Sequence, residues 1–199
     1  MAAGTAAGTA TASYDLRFDS GRICLDLTAT THPGERLDCA GRLAAWVVAS
    51  GLVPPGTPLT GVDARWLLGF RELRGHIARL VRGELDGRPA DGALARVNSA
   101  ALVAPPAPWA VRAGDGSLHR RLHSEPGCAE LLAVVARDAL DLLTDPPARA
   151  SLRQCEGDNC PIVYLDTSRG RRRRWCSSEV CGNRERVARH RRRAALART

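Results

Sequence analysis

Two cysteine pairs near the C-terminus constrain this chain more than any other feature. The first pair is Cys155 and Cys160, the second is Cys176 and Cys181, and each pair has four residues between its members. Fifteen residues separate the two pairs, which lets all of the sulfur atoms reach one ion. Structural zinc is held in a tetrahedron, commonly by cysteine pairs with about two to four intervening residues. The spacing therefore predicts one closed zinc site.

A site made of four thiolates leaves no open coordination position, so we expect the ion to hold shape and not to catalyse a reaction. The alternatives are two disulfides or four unrelated thiols. Disulfides need an oxidising compartment, and residues 1–12 lack the basic start and apolar core of an export signal. We therefore expect zinc in a reducing cytoplasm. Cys24, Cys39 and Cys128 stand singly in apolar patterns, which predicts small buried hydrophobic residues.

The net charge of the chain is concentrated around and after these cysteines. All 29 basic residues are arginine. Residues 151–199 carry 13 arginines against 5 acidic residues, whereas residues 1–150 carry 16 of each, so the net charge of +8 belongs to the C-terminal segment. This asymmetry is typical of a neutral body joined to an end that binds a polyanion. No apolar run is long enough to span a membrane, and we expect no membrane partner.

The first 150 residues predict a mainly helical α+β domain with two short β-hairpins. Residues 1–13 are of low complexity and are excluded from this domain as disordered. Apolar residues alternate over residues 14–18 and 23–27, on either side of Asp19-Ser20-Gly21, which predicts the first hairpin. The second hairpin is predicted over residues 109–122, around a glycine-containing turn.

Helical periodicity predicts four helices in the same domain. The first is expected to be capped by Asp38 and ended by Gly51 and Pro54. The other three are predicted over residues 63–85, around residues 94–101, and over residues 129–143. A double proline ends the last helix, and it places the predicted domain boundary between residues 14–147 and residues 148–199.

The C-terminal domain is predicted to be a knuckle, a small hairpin and a basic helix. Residues 162–165 are expected to form one strand and residues 171–175 the returning strand. The helix is expected to run to Arg193 directly after the second cysteine pair. We expect the backbone N–H groups of Gly182 and Asn183 to donate to a thiolate sulfur at the start of this helix.

This basic helix is poorly suited to a protein core, because its arginines occupy nearly every side. Arginine presents a planar fork that suits phosphate oxygens and the edge of guanine. The alternative is a solvated cationic tail, but a zinc site at the base of the helix favours a nucleic-acid contact. The predicted contact residues are Arg172, Arg173, Arg174, Arg184, Arg186, Arg189, His190, Arg191, Arg192 and Arg193.

Duplex DNA is the preferred nucleic acid. Modules for RNA and single strands usually stack bases on exposed aromatic side chains, and only Tyr164 and Trp175 are available in this segment. Both are candidates for the small core of the finger. A rigid basic helix suits the major groove of DNA.

Three stretches in this segment resemble the bacterial CGNR zinc-finger family. They are Leu165-Asp166-Thr167-Ser168-Arg169, Arg173-Arg174-Trp175-Cys176 and Cys181-Gly182-Asn183-Arg184, of which the last carries the name of the family. In that family the finger follows an N-terminal ABATE domain. Gly21-Arg22-Ile23-Cys24-Leu25-Asp26-Leu27 is similar to its opening hairpin, and Asp141-Leu142-Leu143 ends a helix where the family has one.

The resemblance implies that the four paired cysteines are the zinc ligands. It also implies a stress-related, DNA-binding transcription regulator, whose N-terminal domain senses a signal or mediates assembly. We expect such a protein in the cytoplasm, associated with the nucleoid. The chain departs from the family at Ala29-Thr30, where an Asn-Thr pair is usual. A ligand site that needs this asparagine would be altered or lost here.

The alternative function is a small-molecule-binding protein or an enzyme with an RNA-binding zinc-finger appendage. In that case Trp46, Trp66 and Trp109 would line a pocket, although tryptophans at helical spacing are more often core residues. His119 and His123 share one face of a predicted strand, but no acidic or cysteine partner stands at ligand spacing.

The sequence shows no glycine-rich phosphate loop, nucleophile elbow or carboxylate pair, so we expect no enzyme. Two further partners are considered. One is a second copy of the chain, since many regulators that read a groove of DNA dimerise. The other is a small-molecule effector.

Overall fold

The computed structural model describes residues 16–196, and the low-complexity segment 1–13 lies outside them. The helices are α1 (Ile23–Ala29), α2 (Ala40–Ala49), α3 (Ala64–Asp86), α4 (Asp91–Ala101), α5 (Cys128–Thr144), α6 (Pro146–Arg149) and α7 (Asn183–Leu196). The strands are β1 (Pro108–Arg112), β2 (Leu118–Leu122), β3 (Leu152–Gln154) and β4 (Val163–Leu165), and a π-helical turn covers Ser178–Gly182. The described chain is about half helical with two small antiparallel strand pairs, and the predicted α+β class is confirmed.

Helix α3 is the centre of the body formed by residues 16–149, and it packs against α1, α2, α4 and α5. It begins where the Asp63 carboxylate accepts hydrogen bonds from the N–H groups of Arg65 and Trp66, at 2.9 and 3.0 Å. It ends at Gly87, whose φ of 64° is in the left-handed region that favours glycine. The prediction of this helix is confirmed, and so are those of α4 and α5.

The prediction of a first β-hairpin is wrong, because residues 23–29 form helix α1. Residues of α1 are buried at both odd and even positions. The apolar residues two positions apart therefore do not mark the buried face of a strand. Tertiary contacts hold the helix instead. The carboxylate of Asp138 accepts the N–H of Cys24 at 3.0 Å, and that of Asp26 accepts the N–H of Ser20 at 2.9 Å.

Two smaller predictions about the body are also corrected. Cys39, not Asp38, is the residue before α2, and the Asp38 carboxylate lies 4.0 Å from Arg42 instead of capping the helix. Cys39 is exposed, whereas Cys24 is buried and Cys128 is half-buried. The predicted burial of single cysteines therefore holds fully only for Cys24.

The second hairpin is confirmed as the antiparallel pair β1–β2, with Trp109 opposite Arg121. Its residues are exposed except for Leu122, which is half-buried against the core. The hairpin therefore lies on the surface of the body.

The finger has a different strand pairing from the one predicted. Strand β4 pairs with β3, with Leu152 opposite Leu165, whereas residues 171–175 form no strand. The loop between β3 and β4 contains the first cysteine pair, and the N–H of Cys155 donates to the carbonyl of Ile162 at 2.9 Å. The knuckle is thus the turn of the finger's own hairpin, with eight residues (155–162) between the strands, whereas the predicted hairpin has five (166–170).

The finger packs directly on the helical body. Leu152 and Val163 of the finger strands belong to the main hydrophobic core, together with Phe70 and Ile77 of α3. In the other direction, Ala29 of α1 packs in the small cluster around the cysteines. The division into residues 14–147 and 148–199 remains a prediction. No helix within residues 16–196 is long and apolar enough to cross a membrane.

Candidate metal centre and basic helix

The four predicted ligands converge at one point of the finger. The sulfur atoms of Cys155, Cys160, Cys176 and Cys181 all lie within 4.8 Å of one another, and all four residues are buried. The sulfur of Cys176 is 3.7 Å from that of Cys160 and 3.6 Å from that of Cys181. A tetrahedron with zinc–sulfur bonds of about 2.3 Å separates its sulfurs by about 3.8 Å.

These separations exclude the disulfide alternative, since a disulfide brings two sulfur atoms to about 2.0 Å. All four cysteines are free thiols in the structure. A soft four-sulfur set of this size suits Zn²⁺. The four cysteines form a candidate site for a single zinc ion. A zinc ion bound there would cross-link the knuckle to the turn before α7.

A glycine between the two cysteines of the knuckle allows a close approach of the chain to Cys181. A Cβ atom added to Gly157 would lie 3.2 Å from the Cβ and 3.4 Å from the sulfur of Cys181. The N–H of Cys160 donates to the Gly157 carbonyl at 3.1 Å and closes the knuckle turn. The backbone of the knuckle therefore approaches Cys181 so closely that a side chain at position 157 would be in tight contact with it.

The second pair reaches the site through the π-helical turn. The hydroxyl of Ser177 accepts the N–H of Val180 at 3.2 Å and starts this turn. Cys181 lies within the turn, and α7 follows without a break. One continuous helical segment therefore joins the metal site to α7 and sets the direction of that helix.

Backbone N–H groups favour one thiolate in the site. The sulfur of Cys155 accepts hydrogen bonds from the N–H of Cys176 at 3.3 Å and from that of Gly157 at 3.4 Å. Burial acts to raise the pKa of Cys155, but these hydrogen bonds outweigh it and the pKa is lowered. Burial raises the pKa of Cys160 to about 11. The backbone donors thus favour one thiolate, and four adjacent thiolates require a bound cation.

The expected donors at the helix start are wrong. The N–H of Gly182 donates to the carbonyl of Ser177 at 2.9 Å, and the N–H of Asn183 donates to the carbonyl of Val180. Both groups are used by the π-helical turn, which the sequence did not predict. The donors that sequence reasoning missed are the N–H groups of Gly157 and Cys176, and the side chain of Arg17, which lies far away in the chain.

The two aromatic residues of the finger belong to its core. Tyr164 is fully buried, and its hydroxyl donates to the carbonyl of Arg173. Burial raises the pKa of this hydroxyl to about 12. Trp175 is half-buried and packs against the cysteine cluster. Neither ring is an exposed platform for a base.

One of the predicted contact residues points inward. The guanidinium of Arg173 donates to the carbonyls of Trp175 and Asp19, each at 2.9 Å, and to that of Cys176. It also lies over the Tyr164 ring, 4.4 Å from its centroid. These contacts tie the finger to the start of the body.

The other nine predicted contact residues lie on the surface. Arg172 and Arg174 are exposed, and Arg174 pairs with Glu156 at 2.6 Å. The remaining seven are exposed along α7: Arg184, Arg186, Arg189, His190, Arg191, Arg192 and Arg193. Helix α7 has six arginines against one glutamate, a net charge of +5, and its glutamate pairs with Arg192 at 2.8 Å. Among the elements, α7 packs chiefly against the π-helical turn.

The other candidate residues in the body do not form a site together. A ring nitrogen of His119 lies 2.9 Å from the Ser117 hydroxyl, and the ring of His123 packs edge-on against Trp109. Trp46 is fully buried beside Phe70.

An open cleft of about 500 Å³ lies between the β1–β2 hairpin, α1 and α5. Trp46, Trp66 and Trp109 are not among its lining residues. The prediction that these tryptophans line a pocket therefore finds no support in this cleft.

A helical body, a buried four-cysteine centre and a projecting basic helix define a zinc-finger protein. Its residues 21–146 match the ABATE family, described as "Putative stress-induced transcription regulator", and residues 151–194 match the CGNR zinc finger. The chain therefore belongs to the ABATE family and carries a CGNR zinc finger after the ABATE domain. Both are regulator or zinc-finger families, not enzyme families. No curated protein matches the chain.

Proposed function

We propose that this protein is a zinc-dependent DNA-binding transcriptional regulator that places α7 against duplex DNA. The observation that carries this proposal is the exposure of arginines around a helix whose base is joined to the four-cysteine centre. At 14 residues, α7 is about 21 Å long, enough to lie in the major groove. Fixing its base reduces the conformational entropy that binding would otherwise cost.

The base of the helix is supported by close packing as well as by the cysteines. Gly182 is buried, and a Cβ atom there would lie 3.4 Å from the Trp175 ring and 3.5 Å from the Ser177 carbonyl. The guanidinium of Arg186 donates back to the carbonyl of Ser178 at 3.3 Å. The direction in which α7 leaves the finger is thus set by neighbours on several sides.

Nine of the ten predicted contact residues fit this role. We propose that the exposed arginines of α7, with Arg172 and Arg174, contact phosphates and base edges, and that His190 lies in the same surface. Arg173 is left out, since its guanidinium is engaged by the body and by Tyr164. Its proposed role is to hold the finger in place.

Duplex DNA is favoured over RNA by the burial of the aromatic side chains. Tyr164 and Trp175 pack in the finger core, so base stacking on this surface has no aromatic partner there. The exposed Trp109 lies on the hairpin of the body, outside the finger. Binding is then expected to depend on phosphate contacts and on groove shape.

Fluorescence anisotropy with a labelled duplex, over a series of salt concentrations, tests the proposal. Removing one phosphate contact by Arg189→Gln should weaken binding and make the slope of log affinity against log salt less steep by about one. Arg96→Gln, at an exposed position of α4, is the matched control and should change neither. A tighter complex with RNA of equal length, or binding that survives a zinc chelator, would contradict the proposal.

The ABATE domain is proposed to carry the sensing or assembly function, in the cytoplasm and on the nucleoid. A specific observation favours a small-molecule effector as a second candidate. The cleft between the hairpin and α5 combines apolar walls, such as Leu52 and Val134, with the charged Arg120 and Asp141. Native mass spectrometry of the purified protein would detect a retained molecule. A Val134→Trp variant that fills the cleft should lose that molecule.

A further inference from the structure

Residues 16–20 lie against the finger, although they precede both regions that match a family. The carbonyl of Ser20 accepts the N–H of Leu165 in β4 at 2.8 Å. The carbonyl of Asp19 accepts the inward-pointing guanidinium of Arg173 at 2.9 Å. We call residues 16–20 the docking segment.

The docking segment is held on its other side by the body. Leu16 belongs to the main hydrophobic core, and the N–H of Ser20 donates to the buried Asp26 carboxylate at 2.9 Å. The segment leaves the finger at Gly21, whose φ of +90° is strained for other residues and whose added Cβ would lie 3.1 Å from the Leu165 Cβ. The position of the segment beside the metal centre is therefore well defined by packing and hydrogen bonds.

This segment brings one charge to the cysteine cluster. A guanidinium nitrogen of Arg17 lies 3.4 Å from the sulfur of Cys176. The same nitrogen is held by both oxygens of the Asp19 carboxylate, at 2.8 and 3.1 Å. The side chain of Arg17 is 16% exposed, so its interaction with the sulfur is less screened than a surface ion pair.

A positive charge beside a zinc site with four thiolates would offset the negative charge of that site. Four thiolates and one Zn²⁺ carry a net charge of about −2, which is costly to bury unless donors surround the sulfurs. The sulfur of Cys155 has two backbone donors, while the sulfur of Cys176 has the arginine. Arginine keeps its charge at all relevant pH values and is well suited to this position.

We propose that Arg17 is a positioning residue of the metal centre, which stabilises the Cys176 thiolate and so raises the zinc affinity of the finger. The finger is then not self-sufficient, because a residue about 160 positions earlier completes its surroundings. This inference concerns zinc affinity alone and does not depend on DNA binding.

The experiment measures zinc affinity of the full-length protein by competition with a chromogenic chelator. Arg17→Met keeps the length of the side chain but removes its charge and its donors. Loss of a partner of this kind typically weakens metal binding by about 10–100-fold, and we expect a loss in that range. Arg65→Met, at an exposed position at the start of α3, is the control and should bind zinc as the wild type does. An affinity of Arg17→Met within about twofold of the control would overturn the proposal.

A second measurement separates this role from a loss of folding. In the Co²⁺-substituted protein, a hydrogen bond to sulfur raises the energy of the sulfur-to-metal charge-transfer band. Arg17→Met should therefore shift this band to longer wavelength while keeping its intensity, and an unshifted band would overturn the proposal. If Arg17→Met loses helical circular dichroism, the same two measurements are made on Arg17→Leu, which also removes the charge and the donors. For that variant also, unchanged affinity together with an unshifted band would count against the role of Arg17.

Discussion

The helical body and the finger are stabilised in different ways. The body buries large side chains such as Trp46, Phe70 and Leu131 around α3, which supplies hydrophobic free energy without any ligand. The small cluster of the finger consists of its four cysteines with Ala29, Ile162, Tyr164 and the partly buried Trp175. A core of this size is too small for independent stability, and metal binding has to supply the difference. The comparison indicates that the body can keep its fold under conditions in which the finger loses its own.

Zinc removal should produce the largest difference between the two regions. Binding of structural zinc supplies about 10–16 kcal/mol to small metallodomains, so a chelator should unfold the finger and abolish DNA binding. Hydrogen exchange should show lost protection at residues 155–182 and retained protection in α3 and α5. Added zinc should restore the protected state. Loss of protection in α3 at the same rate would show that the two regions do not differ in this way.

A cavity in the core should affect the body more than the metal site. Phe70 is fully buried beside Trp46, and Phe70→Ala should lower the free energy of unfolding by about 3–5 kcal/mol. Urea denaturation followed by circular dichroism measures this change. Leu68→Ala, at a side chain that is 58% exposed in the same helix, should cost far less. Equal losses in the two variants would contradict the assignment of the core.

Asp26 in the body and the thiolates in the finger should respond to pH in opposite directions. Burial raises the pKa of Asp26 from 3.8 to about 6, so the folded body binds this proton more tightly than the unfolded chain. The stabilisation from Asp26 is full below pH of about 4 and is lost as the pH rises through about 6. The finger behaves oppositely, because protons compete with zinc for the thiolates as the pH falls.

Asp26→Asn isolates the contribution of the body to this pH dependence. At neutral pH the variant should be more stable than the wild type by at most about 3 kcal/mol, and near pH of about 4 the difference should vanish. Urea denaturation across this pH range gives the difference directly, with the exposed Asp38→Asn as control. A difference that grows as the pH falls would show that the sign is wrong.

The smallest expected effect is a steric one in the knuckle. Gly157→Ala places a methyl group 3.2 Å from the Cβ of Cys181, and overpacking of this kind costs about 1–3 kcal/mol. Zinc affinity should fall while the melting of the body is unchanged. Gly92→Ala is the matched control, because its added Cβ meets nothing within 4 Å. An unchanged affinity in Gly157→Ala would mean that the knuckle can move to accept the methyl group.

Much of the body followed from local patterns in the sequence. The predicted helices around residues 63–85 and 129–143 are present because each has a one-sided apolar stripe, and Asp63 or a double proline marks an end. The hairpin of residues 108–122 followed from its glycine-containing turn. Helix α1 was missed because its residues are buried at odd and even positions alike, so apolar residues two positions apart imitated the pattern of a strand.

The four ligands of the metal centre could also be predicted from a local pattern, whereas the residues around them could not. Ligand spacing is a local property, so the convergence of the four sulfur atoms could be expected from residues 155–181 alone. The inward turn of Arg173 and the approach of Arg17 to Cys176 depend on how the finger sits on the body. Contacts between residues more than 150 positions apart leave no mark in local spacing or periodicity, since they arise from packing and burial after the chain has folded.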